Sequence, residues 1–255
     1  MTRIILHGYL GQMGSAIRET AAKSNVYQIV AGVDALPPPA AMPFPTYTNI
    51  TDCDMPADVL VDFSTAAAVP KVLDYASGRT LPVVVCTTGL TDETIRQMAV
   101  CAEKTAVFRS ANMSLGVNLM AAILQKAAAV LCDEGFDIEI IEQHHNQKTD
   151  APSGTALLLA DAINAALPRP LTPVYGRSPY GANTKRQSDE MGIHAIRGGS
   201  IVGKHTVLFA GQNEILTIAH AAQSRQVFAA GALKAAAFVR GKPPGLYSMG
   251  DMLCW

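Results

Sequence analysis

The sequence lacks the features of a membrane, secreted or nucleic-acid-binding protein. In its 255 residues no stretch approaches the roughly 18 consecutive apolar residues of a membrane span. The N-terminus, Met-Thr-Arg before a short apolar run, does not have the arrangement of a signal peptide. The formal net charge is -1, which gives no electrostatic reason to expect nucleic acid or an anionic membrane as a partner. We therefore expect a cytoplasmic protein with a small-molecule ligand.

Cysteine is scarce, and its spacing does not indicate a metal site. The chain has five cysteines, an odd and widely spaced set without a C-x-x-C motif. Reduced thiols are the simplest interpretation, and no bound metal is expected. Apolar residues make up 49% of the chain and charged residues 16%, so there is enough apolar material for a buried core.

Short apolar runs and helix-compatible stretches alternate from Arg3 to Arg109. The predicted helices include one at 66–76 and one at 91–104, and the second opens with a capping-box pattern at Thr91 and Thr94. This alternation predicts an α/β domain with a doubly wound parallel sheet. After Asn112 the pattern changes to one long Ala-rich helix, at 115–131, and then to alternating stretches spaced like antiparallel strands. We predict two domains, the second being α+β with a sheet of its own.

The first turn of the chain reads Gly8-Tyr9-Leu10-Gly11-Gln12-Met13-Gly14, between a predicted strand and a predicted helix. Glycine lets a pyrophosphate approach the backbone, and the helix N-terminus offers it N–H groups. Asp34 ends the next apolar run, where a carboxylate accepts hydrogen bonds from the adenosine ribose. A tight turn without a ligand is the alternative, but the strand, helix and acid together favour a dinucleotide site. No Arg or Lys follows Asp34, so we predict NADH in preference to NADPH.

A polar segment from Glu142 to Ala156 begins where a predicted strand ends and finishes where a helix starts. His144, His145 and Lys148 can donate protons and bind carboxylates. Ser153-Gly154-Thr155 is typical of a helix N-terminus, whose N–H groups bind anions. Polar surface with an ordinary helix cap is the alternative interpretation, and a metal site fits poorly because adjacent histidines lack a third ligand at suitable spacing.

This segment, E-x-H-H-x-x-K-x-D-A-P-S-G-T-A, resembles the signature of the 4-hydroxy-tetrahydrodipicolinate (dihydrodipicolinate) reductases of lysine synthesis. Further segments along nearly the whole chain resemble the same family. These segments are the glycine turn, Asp62-Phe63-Ser64, Thr87-Thr88-Gly89-Leu90, 110–118, Arg197-Gly198-Gly199 with 202–206, Ser224-Arg225, Phe228, Gly231-Ala232 and Gly245-Leu246-Tyr247.

The resemblance implies an enzyme that reduces a cyclic dicarboxylate with NADH or NADPH. It implies that His144 and Lys148 are the catalytic proton donors and that His145, Gly154 and Thr155 bind substrate. The cofactor contacts it implies are Gly8, Gly11, Gln12, Met13, Gly14, Asp34, Phe63, Ser64, Cys86, Thr87, Thr88, Ser110, Ala111, Asn112 and Met113.

The resemblance also implies a fold. A Rossmann-like dinucleotide-binding domain of residues 1–112 and 226–255 would flank a substrate-binding domain of residues 113–225, whose mixed or antiparallel sheet builds a homotetramer. Four residues depart from the family pattern: Tyr9, Cys86, Lys204 where Glu is common, and Ala221 where Lys is common. Another Rossmann-type dehydrogenase of amino acids or sugars, and a non-catalytic NAD(H) sensor, are the alternatives.

Overall fold

The computed structural model describes residues 1–177 and 185–254. The chain divides into two compact units, Met1–Leu115 with Arg225–Trp255, and Gly116–Ser224. The first segment of the first unit ends at Leu115, three residues later than expected from the sequence. Its second segment begins at Arg225, one residue earlier than expected.

The described elements are, in chain order, β1 (Thr2–His7), α1 (Gln12–Ala22), β2 (Tyr27–Val33), β3 (Thr46–Tyr47), a 3-10 helix (Ile50–Asp52), β4 (Val59–Asp62), α2 (Val69–Gly78), β5 (Val83–Val85), α3 (Asp92–Ala102), β6 (Ala106–Arg109), α4 (Leu115–Leu131), β7 (Asp137–His144), α5 (Gly154–Ala165), β8 (Thr172–Tyr175), β9 (Glu190–Arg197), β10 (Gly203–Ala210), β11 (Ile215–Ala222), α6 (Gln226–Val239), β12 (Gly245–Tyr247) and α7 (Met249–Leu253).

The first unit has a seven-stranded sheet in the order β12-β6-β5-β4-β1-β2-β3, and each pair of neighbours is parallel. Alternate strand residues pack on opposite faces, one against α1 and α6 and the other against α2 and α3. The prediction of a doubly wound, Rossmann-like parallel sheet is confirmed. The strand order reverses between β1 and β4, because the chain proceeds from β1 to β2 and β3 on one side and from β4 to β5 and β6 on the other. Open α/β sheets bind ligands beyond the carboxyl ends of the strands at such a point.

The second unit has a five-stranded sheet in the order β11-β10-β7-β9-β8. β10 is antiparallel to β7 and β11, whereas β9 is parallel to β7 and β8, so the sheet is mixed. The prediction of a mixed or antiparallel second sheet is confirmed as a mixed one, but the antiparallel pairing expected for β9 is wrong. Side-chain alternation is the same in both kinds of sheet, and α5 between β7 and β8 provides the crossover that parallel strands need.

Several element bounds differ from the predicted ones for simple reasons. Helix α2 begins at Val69, three residues later than predicted, because Pro70 fits only the first helical turn. β7 continues to His144, so this histidine lies on a strand. Thr91 caps α3 by accepting the Thr94 N–H, but the expected capping box does not form, because the Thr94 hydroxyl bonds to the Thr91 hydroxyl instead. None of the described helices has the length and apolar composition that crossing a membrane would need.

Candidate functional site

The glycine turn of the first unit needs glycine at its two ends for the fold itself. Gly8 has φ +80°, and a Cβ there would overlap the carbonyl of Phe63. A Cβ on Gly14 would overlap the backbone of Gly8 and Tyr9. Gly11 differs, since a Cβ there would lie 3.4 Å from the Gly8 carbonyl oxygen, which is ordinary contact. Glycine at position 11 therefore leaves clearance on the outer side of the turn, at the start of α1.

Tyr9, a departure from the family pattern, does not obstruct this turn. Its side chain is fully buried and packs edge-on against Phe44, with ring centroids 5.9 Å apart. Gly32 makes room for both rings, because a Cβ there would lie 2.8 Å from each. The bulky residue belongs to the core beneath the turn.

Asp34 holds the turn from the next strand. Its Oδ2 accepts a hydrogen bond from the Leu10 N–H, with a donor–acceptor distance of 3.0 Å. Beyond Asp34 lies a cavity of about 290 Å³ whose lining includes Leu36, Pro37 and Asp52. Among the described residues that line it there is no Lys or Arg.

A second cavity, of about 370 Å³, lies at the carboxyl ends of β4, β5 and β6. The residues that line it are Met13, Phe63, Ser64, Thr65, Ala66, Cys86, Thr87, Thr88, Ala111, Asn112, Met113 and Phe228. Most of these come from the three loops in which the sequence predicts cofactor contacts. Ser110 is not part of the lining but supports its loop, since its hydroxyl donates to the Asn112 carbonyl at 2.6 Å.

Asp62, the last residue of β4, is fully buried behind this cavity. Its Oδ1 receives hydrogen bonds from His7 Nδ1 at 2.8 Å and the Ser64 hydroxyl at 2.6 Å. Its Oδ2 receives one from the Thr87 hydroxyl at 2.6 Å. We call Asp62, His7, Ser64 and Thr87 the Asp62 cluster; it joins the carboxyl ends of three adjacent strands.

The Cys86 thiol, which also lines the cavity, is buried. Burial, and then the nearby charge of Asp62, raise the pKa of this thiol well above its usual value. Its Sγ–H points to the Val84 carbonyl at 4.0 Å. A thiol held protonated in this way is a poor nucleophile, so Cys86 is an inert part of the wall.

In the second unit, Glu142 and His144 are two residues apart on β7 and point to the same face of the sheet. His144 Nδ1 lies 2.5 Å from Glu142 Oε2. Glu142 is fully buried. Its carboxylate also accepts hydrogen bonds from both terminal nitrogens of Arg197, at 2.8 and 2.6 Å, and from the Ser153 N–H, at 3.0 Å. We call Glu142, His144, Arg197 and Ser153 the Glu142 cluster.

The electrostatics of this cluster favour an ionised carboxylate. Burial alone would raise the pKa of Glu142, but the hydrogen bonds from Arg197 and His144 outweigh it and lower the pKa below its usual value. The same pairing raises the pKa of Arg197. An ionised carboxylate only accepts, so His144 carries a proton on Nδ1 and its reactive nitrogen is Nε2. A Cβ on Gly203 would lie 3.0 Å from this Nε2, so glycine leaves space there.

Ser153 is the N-cap of α5, as the sequence predicts, and its Oγ accepts the Ala156 N–H. Its hydroxyl lies 3.0 Å from His205 Nε2. Burial, and then the nearby His144, lower the pKa of His205 to about 4, so this ring is neutral near pH 7 and shares one hydrogen bond with the Ser153 hydroxyl. Gly154 and Thr155 follow in the first turn of α5, whose N–H groups point toward the helix start.

Lys148 forms an ion pair with Asp150, with Nζ and Oδ1 2.7 Å apart. The Lys148 hydrogen bond lowers the pKa of Asp150. The two side chains are 23% and 55% exposed, so the ammonium is partly covered while its partner faces solvent. His145, the next residue after His144, is half-buried.

The sequence prediction named His144 and Lys148 but missed Glu142, Asp62 and Asp150. Strand alternation contains the signal for Glu142, because residues two apart on a strand share a face. The signal for Asp62 is an acid at the end of an apolar run, the pattern already used for Asp34. Within residues 1–177 and 185–254, no group of three or more His, Cys, Asp or Glu side chains is arranged to hold a metal ion.

Comparison with known proteins identifies two family models that together match nearly the whole chain. The model described as dihydrodipicolinate reductase, N-terminus, matches residues 2–113. The model described as dihydrodipicolinate reductase, C-terminus, matches residues 116–253.

Individual relatives agree with the family models. A 4-hydroxy-tetrahydrodipicolinate reductase from Caldanaerobacter subterraneus subsp. tengcongensis is 49% identical, over 99% of this chain and 98% of that protein. One from Clostridium tetani is 47% identical, over 99% and 97%. Among solved structures, dipicolinate-bound dihydrodipicolinate reductase from Paenisporosarcina sp. TG-14 is similar with a TM-score of 0.83 and 27% identity, covering 98% of both chains.

Proposed function

We infer the activity of this chain from the family to which it belongs, that of the dihydrodipicolinate reductases. It is a pyridine-nucleotide-dependent oxidoreductase that reduces 4-hydroxy-tetrahydrodipicolinate to tetrahydrodipicolinate, on the diaminopimelate route to lysine. Family membership decides against another amino-acid or sugar dehydrogenase and against a non-catalytic NAD(H) sensor.

We propose that the first unit binds the dinucleotide and that the second binds the substrate. The glycine turn fits a pyrophosphate, because Gly11 provides clearance that neither the turn nor the core requires. When bound, a reduced nicotinamide supplies the hydride. The loops that line the 370 Å³ cavity hold its nicotinamide end.

The preference of the site for NADH follows from the surroundings of Asp34. A carboxylate there accepts hydrogen bonds from ribose hydroxyls and repels a 2′-phosphate. The adjoining cavity offers Asp52, hydroxyl-bearing and apolar side chains, with no Lys or Arg in the described lining. NADPH would therefore bind without charge compensation.

The catalytic proposal depends on one observation, the hydrogen bond from His144 to Glu142. This contact leaves Nε2 as the nitrogen that exchanges a proton with the reacting substrate. Hydride addition to a conjugated imine leaves electron density that must be protonated, and a nearby acid stabilises that charge and supplies the proton. His144 fills this role, and Lys148 is the second proton donor.

The substrate carries two carboxylates, and the second unit offers groups that suit them. The N–H groups at Gly154 and Thr155 begin a helix, and Lys148 and His145 lie on the preceding segment. Asp150 holds the Lys148 ammonium in an ion pair at 2.7 Å. A substrate carboxylate would replace Asp150 as the partner of Lys148.

The decisive experiment is an NADH-oxidation assay coupled to dihydrodipicolinate synthase, which generates the unstable substrate. We expect His144→Ala and Lys148→Ala to lower kcat by about 10²–10⁴-fold with little change in NADH affinity, since the lost groups act on the substrate. Asp161→Asn, on the exposed side of α5, is the matched control and should keep wild-type turnover. Near wild-type kcat in either alanine variant, or a clearly higher kcat/KM with NADPH than with NADH, would contradict the corresponding role.

The dinucleotide site has a separate test in two glycine substitutions. Gly11→Ala should fold normally and bind NADH at least tenfold more weakly, because the added methyl occupies the clearance for the pyrophosphate. Gly14→Ala should instead destabilise the first unit by about 1–3 kcal/mol, because its methyl overlaps backbone. Titration calorimetry measures the loss of NADH affinity and thermal unfolding measures the loss of stability. Unchanged NADH affinity in Gly11→Ala would exclude the glycine turn as the pyrophosphate site.

We further propose that the chain is cytoplasmic and that it assembles as a homotetramer through the five-stranded sheet. One face of this sheet packs in the core of the second unit, while its edge strand β11 carries Ile215 at 64% exposure and β9, on the other side of β7, carries Ile196 at 45%. The cysteines are free, as is usual in a reducing compartment. Analytical ultracentrifugation gives the assembly state directly, and a monomer at micromolar concentration would reject it.

A further inference from the structure

The Asp62 cluster sets the direction of two hydrogen bonds at the wall of the 370 Å³ cavity. An ionised carboxylate has lone pairs and no proton, so groups bonded to it must donate. The Ser64 and Thr87 hydroxyls, each 2.6 Å from Asp62, therefore point their single protons away from the cavity that both residues line. What each hydroxyl can still offer is a lone pair.

The thiol on the same wall behaves in the same way. Cys86 directs its Sγ–H to the Val84 carbonyl, so its sulfur also faces other groups only as an acceptor. Three adjacent side chains of the wall, Ser64, Cys86 and Thr87, thus lack a proton to give to a ligand. The fully buried Asp62 side chain, which accepts the Ser64 and Thr87 protons, lies directly behind them.

We propose that Asp62 is a positioning residue that makes this wall selective for a neutral ligand group bearing N–H or O–H donors. The inference rests on the proposed dinucleotide site and deepens it. In a nicotinamide riboside such donors occur on the carboxamide NH₂ and on the ribose hydroxyls. Asp62 touches neither, but acts through the Ser64 and Thr87 hydroxyls.

Two further properties of the cluster support this role. The network includes His7 at the end of β1, Asp62 at the end of β4 and Thr87 just after β5, so one carboxylate fixes side chains from three strand ends. Because Asp62 is fully buried, its carboxylate depends on these donors and holds them in one orientation. The acceptors are therefore in place before a ligand binds.

The test compares NADH with two analogues by titration calorimetry. The reduced 3-acetylpyridine dinucleotide replaces the carboxamide NH₂ by a methyl group, and a second analogue lacks the 2′-hydroxyl of the nicotinamide ribose. We expect the wild type to bind one of them at least tenfold more weakly than NADH, and the weaker one identifies the donor. Equal affinity for NADH and both analogues would overturn the proposal.

Asp62→Asn then tests the role of the carboxylate. An amide NH₂ donates to one of the two hydroxyls, which must turn its own proton into the cavity, so the discrimination should fall below about threefold. Asp74→Asn, an exposed position on α2, is the matched control and should discriminate as the wild type does. Wild-type discrimination in a folded Asp62→Asn would contradict the proposal.

Substitutions at Thr87 keep the test valid if Asp62→Asn does not fold. Thr87→Val removes the acceptor while preserving shape and should lose discrimination, whereas Thr87→Ser keeps the hydroxyl and should retain it. Equal discrimination in both variants would contradict the proposal. If the wild type binds neither NADH nor NADPH, the proposed dinucleotide site itself fails, an outcome distinct from binding without discrimination.

Discussion

The two units each bury one carboxylate completely, but surround it differently. Asp62 is bonded by two hydroxyls and one imidazole, whereas Glu142 is bonded by a guanidinium, an imidazole and a backbone N–H. Arginine compensates the charge of Glu142 directly, and its hydrogen bonds keep the carboxylate ionised. The difference suggests two uses of a buried acid, to orient neutral hydroxyls at a cofactor wall and to orient a proton donor at a reaction centre.

The largest expected effect separates the two uses. Glu142→Gln should lower kcat by ~10²-fold or more, because an amide can donate to His144 Nδ1 and so reverse the roles of the ring nitrogens. It also leaves the Arg197 charge without its partner. NADH affinity should stay within about twofold of wild type.

Stopped-flow turnover and NADH titration measure the two quantities, with Asp161→Asn as the control. The expected outcome is the reverse of that for Asp62→Asn, in which cofactor discrimination changes. If Glu142→Gln weakened NADH binding and left kcat intact, the proposed division between the two carboxylates would be wrong.

The second-largest expected effect is on the pH dependence of stability in the second unit, through the protonation of His205. Because the pKa of folded His205 is about 4, below the ordinary 6.5, the unfolded chain binds this proton more tightly. The contribution of neutral His205 to the free energy of unfolding is complete above pH 6.5. It is lost as the pH falls toward 4, by up to ~3 kcal/mol. His205→Gln can still hydrogen-bond to Ser153, since its amide both donates and accepts, but it does not titrate, so it should lose less stability over this range.

Thermal unfolding of both proteins between pH 7 and pH 4.5 measures the difference in acid sensitivity. The comparison uses the change with pH and not the stability at one pH, since the substitution itself alters packing. Parallel profiles for the two proteins would show that His205 is not the proton-linked group.

The smallest effect contrasts the buried Glu142 with a surface acid introduced on the same sheet. Lys204 and Ala221, two departures from the family pattern, are directly opposite each other on β10 and β11. Both are exposed, so Ala221→Glu would form a cross-strand ion pair worth only about 0.2–1 kcal/mol. Urea unfolding should show a gain over Ala221→Gln that disappears in 1 M salt, and a gain above 2 kcal/mol would contradict the contrast.

The sequence predicted the parallel sheet well, because the spacing of apolar residues and the breaks between elements are visible in neighbouring positions of the chain. The short strands β3 and β12 were missed, since two or three residues at a sheet edge carry no period of their own. The parallel pairing of β9 with β7 was also missed, because it depends on residues more than 50 positions apart.

The candidate site shows the same limit. His144 and Lys148 stand out by residue type and spacing, and the glycine turn by its place between strand and helix. Some donors to Asp62 and Glu142 come from segments distant in sequence, His7 and Thr87 in one case and Arg197 in the other. No local pattern indicates such partners, because they meet only through sheet register.

Ser153 joins two functions in one residue, since its N–H donates to Glu142 and its hydroxyl caps the helix that begins at Gly154. Its backbone amide is therefore a spectroscopic reporter. In an ¹⁵N-labelled sample, the resonance of this single amide should respond both to the protonation of the His144 pair and to an anion arriving at the helix start. The Ser153 amide is thus an internal probe of the order in which substrate binding and proton transfer occur.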